Sequence, residues 1–399
     1  MGIVQKYGGT SVGDIEKIKL IAQRIISKKE EGEDLVIVVS AMGKTTDHLL
    51  KMAKSISDNP SDRELDVLLS TGEQQTIALL TMALRDEGYL ATSFTGAQAG
   101  IITKGRHTQN KIAGIDGTSI CQALSRDEIV VVAGFQGINE LGNITTLGRG
   151  GSDTTAVALA ASLEFKCEIY TDVDGIYAVD PRRLPSAKRL EQISYDEMME
   201  LASLGAGVME PRAVEIGKKY KVPIYVGNSH NNIQGTWIRE VEQLEEQVIT
   251  GISVSDDILS IALRNIDADS GQIANVFNEF ANADVNIDMI SQTLSKDQKT
   301  AISFTCNREQ ENRAKKAIEN LQKSFPYMEI SKNSELVKIS VVGIGMRNHS
   351  GVAGSIFNLF AKEKIHFEQV TTSEISISYT IYQKDLQRTL LMLAELFQL

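Results

Sequence analysis

The sequence predicts an α/β fold, a mainly parallel sheet covered by helices on both faces, followed by a smaller α+β region. Three observations predict it. Apolar runs of strand length alternate with segments of helical period through the first part of the chain, the pattern of parallel strands joined by crossover helices. One such run, 35–40 (LVIVVS), is apolar at every position before its last, as in a strand buried under helices on both sides. Near Gly235 the texture changes, and Ser270-Gly271, Phe277-Asn278 and Phe280-Ala281 recur 80 positions further on as Ser350-Gly351, Phe357-Asn358 and Phe360-Ala361, an internal repeat.

In chain order, residues 2–7 read as a strand. Ile15, Ile18, Ile21, Ala22, Ile25 and Ile26 recur at helical spacing over 14–29. The strand 35–40 precedes a helix over 45–57, and 58–64, with Pro60, reads as a polar hinge. A helical region follows over 65–85, with an interruption expected at Ser70-Thr71-Gly72-Glu73. Further strands are expected at 90–94, 129–135, 167–171 and 222–226, with helices at 152–163, 195–204 and 211–219. Residues 241–247 (VEQLEEQ) form a short acidic connector. Each repeat copy reads strand, turn, helix, strand, strand, helix. The first copy has a closing strand available near 328–330, whereas the second ends on the helix 386–397 and lacks one. The spare strand 248–254 is the natural donor. The division expected is therefore 1–240, a linker at 241–247, the first copy at 264–334, and the second at 248–263 plus 335–399, with the first inserted in the second.

The chain has 399 residues, long enough for two or three domains. Forty-one basic against 52 acidic residues give a net charge of -11, which argues against nucleic acid and anionic lipid as partners. Cys121, Cys167 and Cys306 are odd in number, far apart and set in apolar sequence, as in reduced thiols of a cytosolic protein. No signal-like start and no window of about 18 apolar residues occurs. A cytoplasmic location without a membrane partner is expected.

Two glycine loops carry the candidate chemistry. In the stretch 145–161 (TTLGRGGSDTTAVALAA), Gly148, Gly150 and Gly151 bare the backbone and Arg149 sets one cationic fork among them. Ser152 or Asp153 is placed to cap the helix that follows. Amides of such a loop and the positive helix end hold a carboxylate or phosphate, although a tight turn before a capped helix is the plainer reading. The second loop, Gly8-Gly9-Thr10-Ser11-Val12-Gly13, follows a strand with Lys6 just ahead. Two loops suggest two anionic ligands.

Competing motifs fail. Gly43-Lys44-Thr45 lacks the P-loop's first glycine, because Val38 stands there, and Gly343-Ile344-Gly345 meets Asn348 where the dinucleotide fingerprint needs glycine. The five histidines share no metal spacing, and no serine sits in a G-x-S-x-G elbow. Phosphoryl transfer is what the parts suit: Lys6 and the amides of Gly8 and Gly9 for a phosphate tail, Arg149 with Gly150, Gly151 and Ser152 for a carboxylate. Asp153 and Asp172 are acids close to these loops, able to orient Lys6 or to bind magnesium.

These residues resemble a family. Lys6 to Val12 is similar to the opening K-[FY]-G-G-[ST]-S motif of aspartokinases, TLGRGGSDTTA to their substrate loop, and Tyr170 to Tyr177 through Asp180-Pro181-Arg182 to their nucleotide segment. The repeat resembles a pair of ACT domains, small sensors that bind amino acids. The resemblance implies an amino-acid kinase fold, MgATP, and transfer of the γ-phosphoryl group to the side-chain carboxylate of L-aspartate, a step toward lysine, threonine, methionine and diaminopimelate. It implies a monofunctional enzyme. By position it puts Lys6 on the migrating phosphoryl, Asp153 orienting Lys6, and Tyr7, Gly8, Gly9, Thr171, Asp172, Tyr177, Asp180 and Arg182 around ATP. Ser40, Thr46, Glu73 and Arg149 to Ser152 would hold aspartate, Glu73 taking its ammonium and Arg149 a carboxylate. No metal-binding side-chain cluster is implied; magnesium would arrive with ATP.

The resemblance further implies an amino-acid effector, lysine or threonine or both, between paired sensors. Its contacts would be Asp269 to Gly271, Asn286, Ile287 and Asp288 with Gln292, and Ser373 with Glu374. Such pairing implies a homodimer at least, and some relatives add a separate small subunit of ACT domains alone. Departures from the family pattern are Glu210 where histidine is usual, Gly207 in place of a lysine, Gly227-Asn228-Ser229 in place of an R-S-S triplet, Ser270 and Ser350 in place of proline, and His366 in place of asparagine. Two alternatives stand beside this reading: a kinase of glutamate or N-acetylglutamate, and a degenerate kinase acting only as an amino-acid sensor.

Overall fold

A computed structural model describes residues 2–241, 248–294, 299–347 and 349–399. The expected connector at 241–247 lies, from residue 242 on, outside the described residues. The chain divides into two compact units, one of 1–176, 189–202 and 207–243, the other of 177–188, 203–206 and 244–399. Segments 177–188 and 203–206, which the expected division had placed within 1–240, belong to the second compact unit.

The first unit runs β1 (Gly2–Tyr7), α1 (Ile15–Glu30), β2 (Asp34–Val39), α2 (Thr45–Ile56), α3 (Asp62–Asp86), β3 (Ala91–Phe94), β4 (Ile101–Lys104), β5 (Lys111–Ile115), α4 (Thr118–Leu124), β6 (Ile129–Ala133), β7 (Gln136–Asn139), β8 (Ile144–Thr146), α5 (Gly151–Leu163) and β9 (Lys166–Thr171). After an irregular stretch come β10 (Gln192–Ile193), α6 (Tyr195–Ser203), α7 (Pro211–Tyr220), β11 (Ile224–Asn228) and β12 (Thr236–Ile238). Eight strands form one sheet in the order β10-β12-β11-β9-β1-β2-β6-β3. All its pairs are parallel except β11 with β12. Its central strands are buried on both faces: Ile3, Val4, Leu35, Val36, Ile37, Val38 and Val130 to Val132 are fully enclosed. The helix α1 and the second half of α3 cover one face through Ile18, Ile21, Ile25, Ile77, Leu80 and Leu84, and α5 packs on β1 and β9.

The helix α3 runs unbroken through the expected interruption at 70–73. Gly72 is there for a close approach, since a Cβ on it would lie 2.8 Å from the Cβ of Ala41. A second, four-stranded sheet, β5-β4-β7-β8, was not anticipated. Its short strands sit beside the loop 147–151 and α3.

The second unit contains β13 (Gly251–Ser255), β14 (Ile258–Asp267), α8 (Ser270–Asn282), β15 (Ile287–Leu294), β16 (Lys299–Asn307), α9 (Glu311–Ser324) and β17 (Glu329–Asn333), then β18 (Leu336–Val342), α10 (Val352–Glu363), β19 (Phe367–Thr372), β20 (Ser376–Tyr382) and α11 (Leu386–Phe397). Two four-stranded sheets result, β15-β16-β14-β17 and β13-β18-β20-β19. The strand β13 pairs antiparallel with β18, so chain preceding the first repeat closes the sheet of the second. The expected boundary at 263/264 falls inside β14, a continuous strand of the first sheet; the change of sheet occurs between β13 and β14 instead. Each sheet has its own core, Phe280 against Phe304 in the first and Phe360 against Tyr379 in the second.

Candidate active site

The carboxyl ends of β1, β2 and β6 open toward one end of the first unit, the usual place for ligands in a parallel sheet. A cavity of about 280 Å³ is lined there by Lys6 from β1, Ser40 and Ala41 after β2, Thr46 from α2, Glu73 from α3, Gly148 to Ser152 and Asp153 at the start of α5, with Gly9 closing one side. Both glycine loops therefore reach a single cavity.

The glycine loop turns into α5 at Gly150, whose φ of 64° suits a residue without a Cβ. Ser152 and Asp153, expected as caps, lie instead within the first helical turn, and the N-cap position is Gly150 itself. That shift frees the Asp153 carboxylate to meet Lys6, with Nζ to Oδ1 at 2.5 Å and both side chains largely enclosed. A carboxylate in the first turn also suits the helix dipole.

Glu73 projects from α3 into the same cavity and is 3% exposed. Its Oε1 accepts from the amide of Ala41 at 3.1 Å, and Oε2 meets no hydrogen-bond partner among the described residues. Burial pushes its carboxyl up to about 7. A buried, half-satisfied carboxylate facing a cavity is a receptor for a cation. Arg149 is exposed at the mouth.

Two residues that the sequence reading passed over brace this loop. Arg212 donates to the carbonyls of Leu147 at 2.7 Å and Asn110 at 2.9 Å. Asp66, fully buried in α3, accepts from the Thr146 hydroxyl at 2.5 Å, His107 Nδ1 at 2.5 Å and the Thr108 amide at 3.0 Å. Their hydrogen-bond partners lie far off in sequence, so no local pattern announced them. Glu210 packs against Gly150, where its Cβ stands 2.6 Å from the position a Gly150 Cβ would take. Burial raises its carboxyl above the usual range and Asp153 adds to that, while Arg212 and Arg149 oppose it.

The expected nucleotide residues are divided. Gly8 lies beside Lys6 and donates its amide to Tyr170 O at 3.3 Å. Thr171 and the exposed Asp172 sit at the end of β9, hydrogen-bonded to each other at 3.0 Å. Tyr7 is a correction: its ring is fully buried, stacks on Tyr170 with centroids 5.2 Å apart and donates to Gln5, so its side chain is core rather than ligand. Tyr177, Asp180 and Arg182 fall in the second compact unit and are not among the residues lining the cavity; Tyr177 packs on that unit's core and Arg182 pairs with Asp180 at 2.8 Å.

A model described as the amino acid kinase family matches residues 1–228, and one described as the ACT domain matches 264–322 and 339–397. Over all of its length the chain is 47% identical to aspartokinase 2 of Bacillus subtilis (strain 168), covering 98% of that protein. The chain belongs to the aspartokinase family. An aspartokinase of Geobacillus stearothermophilus is likewise 47% identical, over 96% of this chain and 93% of the relative. The fold matches that of E. coli aspartokinase III, crystallised with aspartate and ADP, at a TM-score of 0.81 and 22% identity over 99% of each chain. As a member of the aspartokinase family the chain is a kinase, a transferase, and its ACT domains imply allosteric regulation.

The expected effector residues are only partly gathered. Asn286, Ile287 and Asp288 line a cavity of about 360 Å³ in the second unit, where Asp288 pairs with Lys338 at 2.5 Å. Asp269 caps α8, accepting from Gly271 and Gln272 at 2.9 and 3.1 Å. Gln292, Ser373 and Glu374 do not line that cavity; Glu374 pairs with Arg347 at 3.0 Å.

Proposed function

We propose that the chain transfers the γ-phosphoryl group of ATP to the side-chain carboxylate of L-aspartate in the cavity between Lys6 and Glu73. The observation carrying this reading is that Lys6, Glu73, Arg149 and Asp153 line one cavity with a carboxylate oxygen left over for an ammonium. Glu73 Oε2 takes the substrate ammonium. Arg149 and the amides of the loop 148–152 take its α-carboxylate, which leaves the side-chain carboxylate pointing to Lys6.

Lys6 stabilises the charge on the migrating phosphoryl, Asp153 holds the ammonium of Lys6 in place, and Gly9 offers its amide to the phosphate tail, with Gly8 beside it held by Tyr170 O. A carboxylate oxygen attacks the γ-phosphorus, the bond from phosphorus to the β,γ-bridging oxygen breaks, and ADP leaves with that electron pair. The acceptor is already ionised, so no general base is required. Magnesium enters with the nucleotide phosphates; among the described residues no group of three His, Cys, Asp or Glu side chains is placed to hold a metal.

The ACT domains would bind lysine, threonine or both in a homodimer and shift the kinase between two arrangements. The enzyme would work in the cytoplasm; no helix among the described residues is long and apolar enough to cross a membrane. Calorimetric titration of L-aspartate into the enzyme tests the substrate half: saturable binding lost in Glu73→Ala supports it, and equal binding by both proteins would refute it.

A further inference from the structure

The turn after β11 is tied to two of the segments that the kinase reading gives to the nucleotide, the loops after β1 and β9. The Ser229 amide donates to Thr171 O at 2.9 Å, and the Ser11 hydroxyl donates to Ser229 Oγ at 2.8 Å. The side-chain Nδ2 groups of Asn228 and Asn231 both donate to Asp174 Oδ1, at 2.7 and 2.9 Å. One turn thus joins the glycine loop after β1 to the loop after β9.

From the other side, Arg24 of α1 shares Nη1 among the carbonyls of Asn228, Ser229 and Asn231 at 3.1 to 3.2 Å. Its guanidinium lies 4.2 Å over the Tyr170 ring, whose hydroxyl donates to the buried Glu168 at 2.9 Å. At Gly227, where the family pattern has the arginine of its triplet, a Cβ would stand 2.8 Å from the Tyr225 ring. That ring is pinned by its hydroxyl, which accepts from the Gly235 amide at 2.6 Å. A side chain on residue 227 has no room, and the guanidinium at this turn comes from α1.

We propose that Arg24 and Asp174 are positioning residues for nucleotide binding: together they fix the turn 228–231 and, through Ser11 and Thr171, the spacing of the two loops that receive ATP. This rests on the kinase reading. Neither residue lines the cavity of Lys6 and Glu73, so the aspartate side is independent of them. A planar fork stacked on an aromatic ring and shared among carbonyls is not reproduced by an ammonium, so lysine does not replace Arg24.

The test compares wild type, Arg24→Met, Arg24→Lys and Asp174→Ala by titration with MgADP and by steady-state kinetics in each substrate. The expected result is a rise of about tenfold in the Kd for MgADP and the KM for ATP in Arg24→Met and Asp174→Ala. Arg24→Lys should restore less than half of that, and the KM for aspartate should stay within about twofold. Unchanged MgADP affinity, even with a lower melting temperature, or equal rises in both KM values would overturn the proposal. Should Arg24→Met not fold, Asp174→Ala decides alone. If wild type itself does not bind MgADP, the kinase reading falls and this inference with it, an outcome separate from a variant that binds as wild type does.

Discussion

Lys6, at the end of the first strand, and Asp153, in the first turn of α5, meet at 2.5 Å inside the cavity. A cation held this way is aimed before any ligand arrives, and electrostatic stabilisation of a transferring group depends on such aiming. Lys6→Met should lower kcat by about 10²- to 10³-fold. Asp153→Asn should lower it less, by about tenfold, since the charge of Lys6 survives but its direction does not. Steady-state rates at saturating substrates check both; a change in KM alone would contradict the role given to the pair.

Glu73 links function to stability. Its carboxyl is raised from 4.5 to about 7 by burial. Below the unfolded value both states hold the proton. Between about 4.5 and 7 the unfolded state gives up its proton while the folded state keeps it, so stability falls across that window, by up to about 3 kcal/mol, and levels off above 7. Glu73→Gln keeps the acceptor for Ala41 and removes that penalty. The variant should melt higher than wild type at pH 8, with the gap closing toward pH 5, while its KM for aspartate rises about 10- to 100-fold. In wild type, aspartate affinity should improve as pH rises through 7. Calorimetric melting and binding over that range check each part; a variant less stable at pH 8 would contradict the assignment.

Arg149 is exposed at the cavity mouth, so its loss should leave stability within about 0.5 kcal/mol. Arg149→Lys loses bidentate geometry and should raise the KM for aspartate about tenfold or more, with little effect on the KM for ATP. Initial rates with each substrate varied in turn give the answer.

Asp66 accepts three hydrogen bonds with no exposure at all. Asp66→Asn turns an acceptor into a partial donor facing donors and should destabilise by about 2–3 kcal/mol in urea unfolding. Because Thr146 leads into the glycine loop, the KM for aspartate should rise as well. A change below about 0.5 kcal/mol would mean the network is dispensable.

What was legible in the sequence followed from burial. Strands β2 and β6 are enclosed on both faces and read as apolar runs, and the α1 stripe is carried by Ile18, Ile21 and Ile25. The sheet β5-β4-β7-β8 was missed because its strands have three to five residues, mixed burial and glycines such as Gly114 and Gly137. Gly72 was read as a break, yet its absent side chain is what lets α3 approach Ala41. Tyr7 shows the limit of a motif: the letters mark a conformation, not which atoms face a ligand. Asp66 and Arg212 were silent because their partners lie 41 to 102 positions away.

The central claim, one cavity joining an acidic amino acid to a nucleotide tail, is tested most directly by trapping the acyl phosphate formed from ATP as its hydroxamate, with aspartate, glutamate and N-acetylglutamate offered separately. The account predicts product with L-aspartate, little with the other two, and loss of about 10²-fold or more in Lys6→Met. No aspartate-dependent product from wild type, or undiminished product from Lys6→Met, would contradict it.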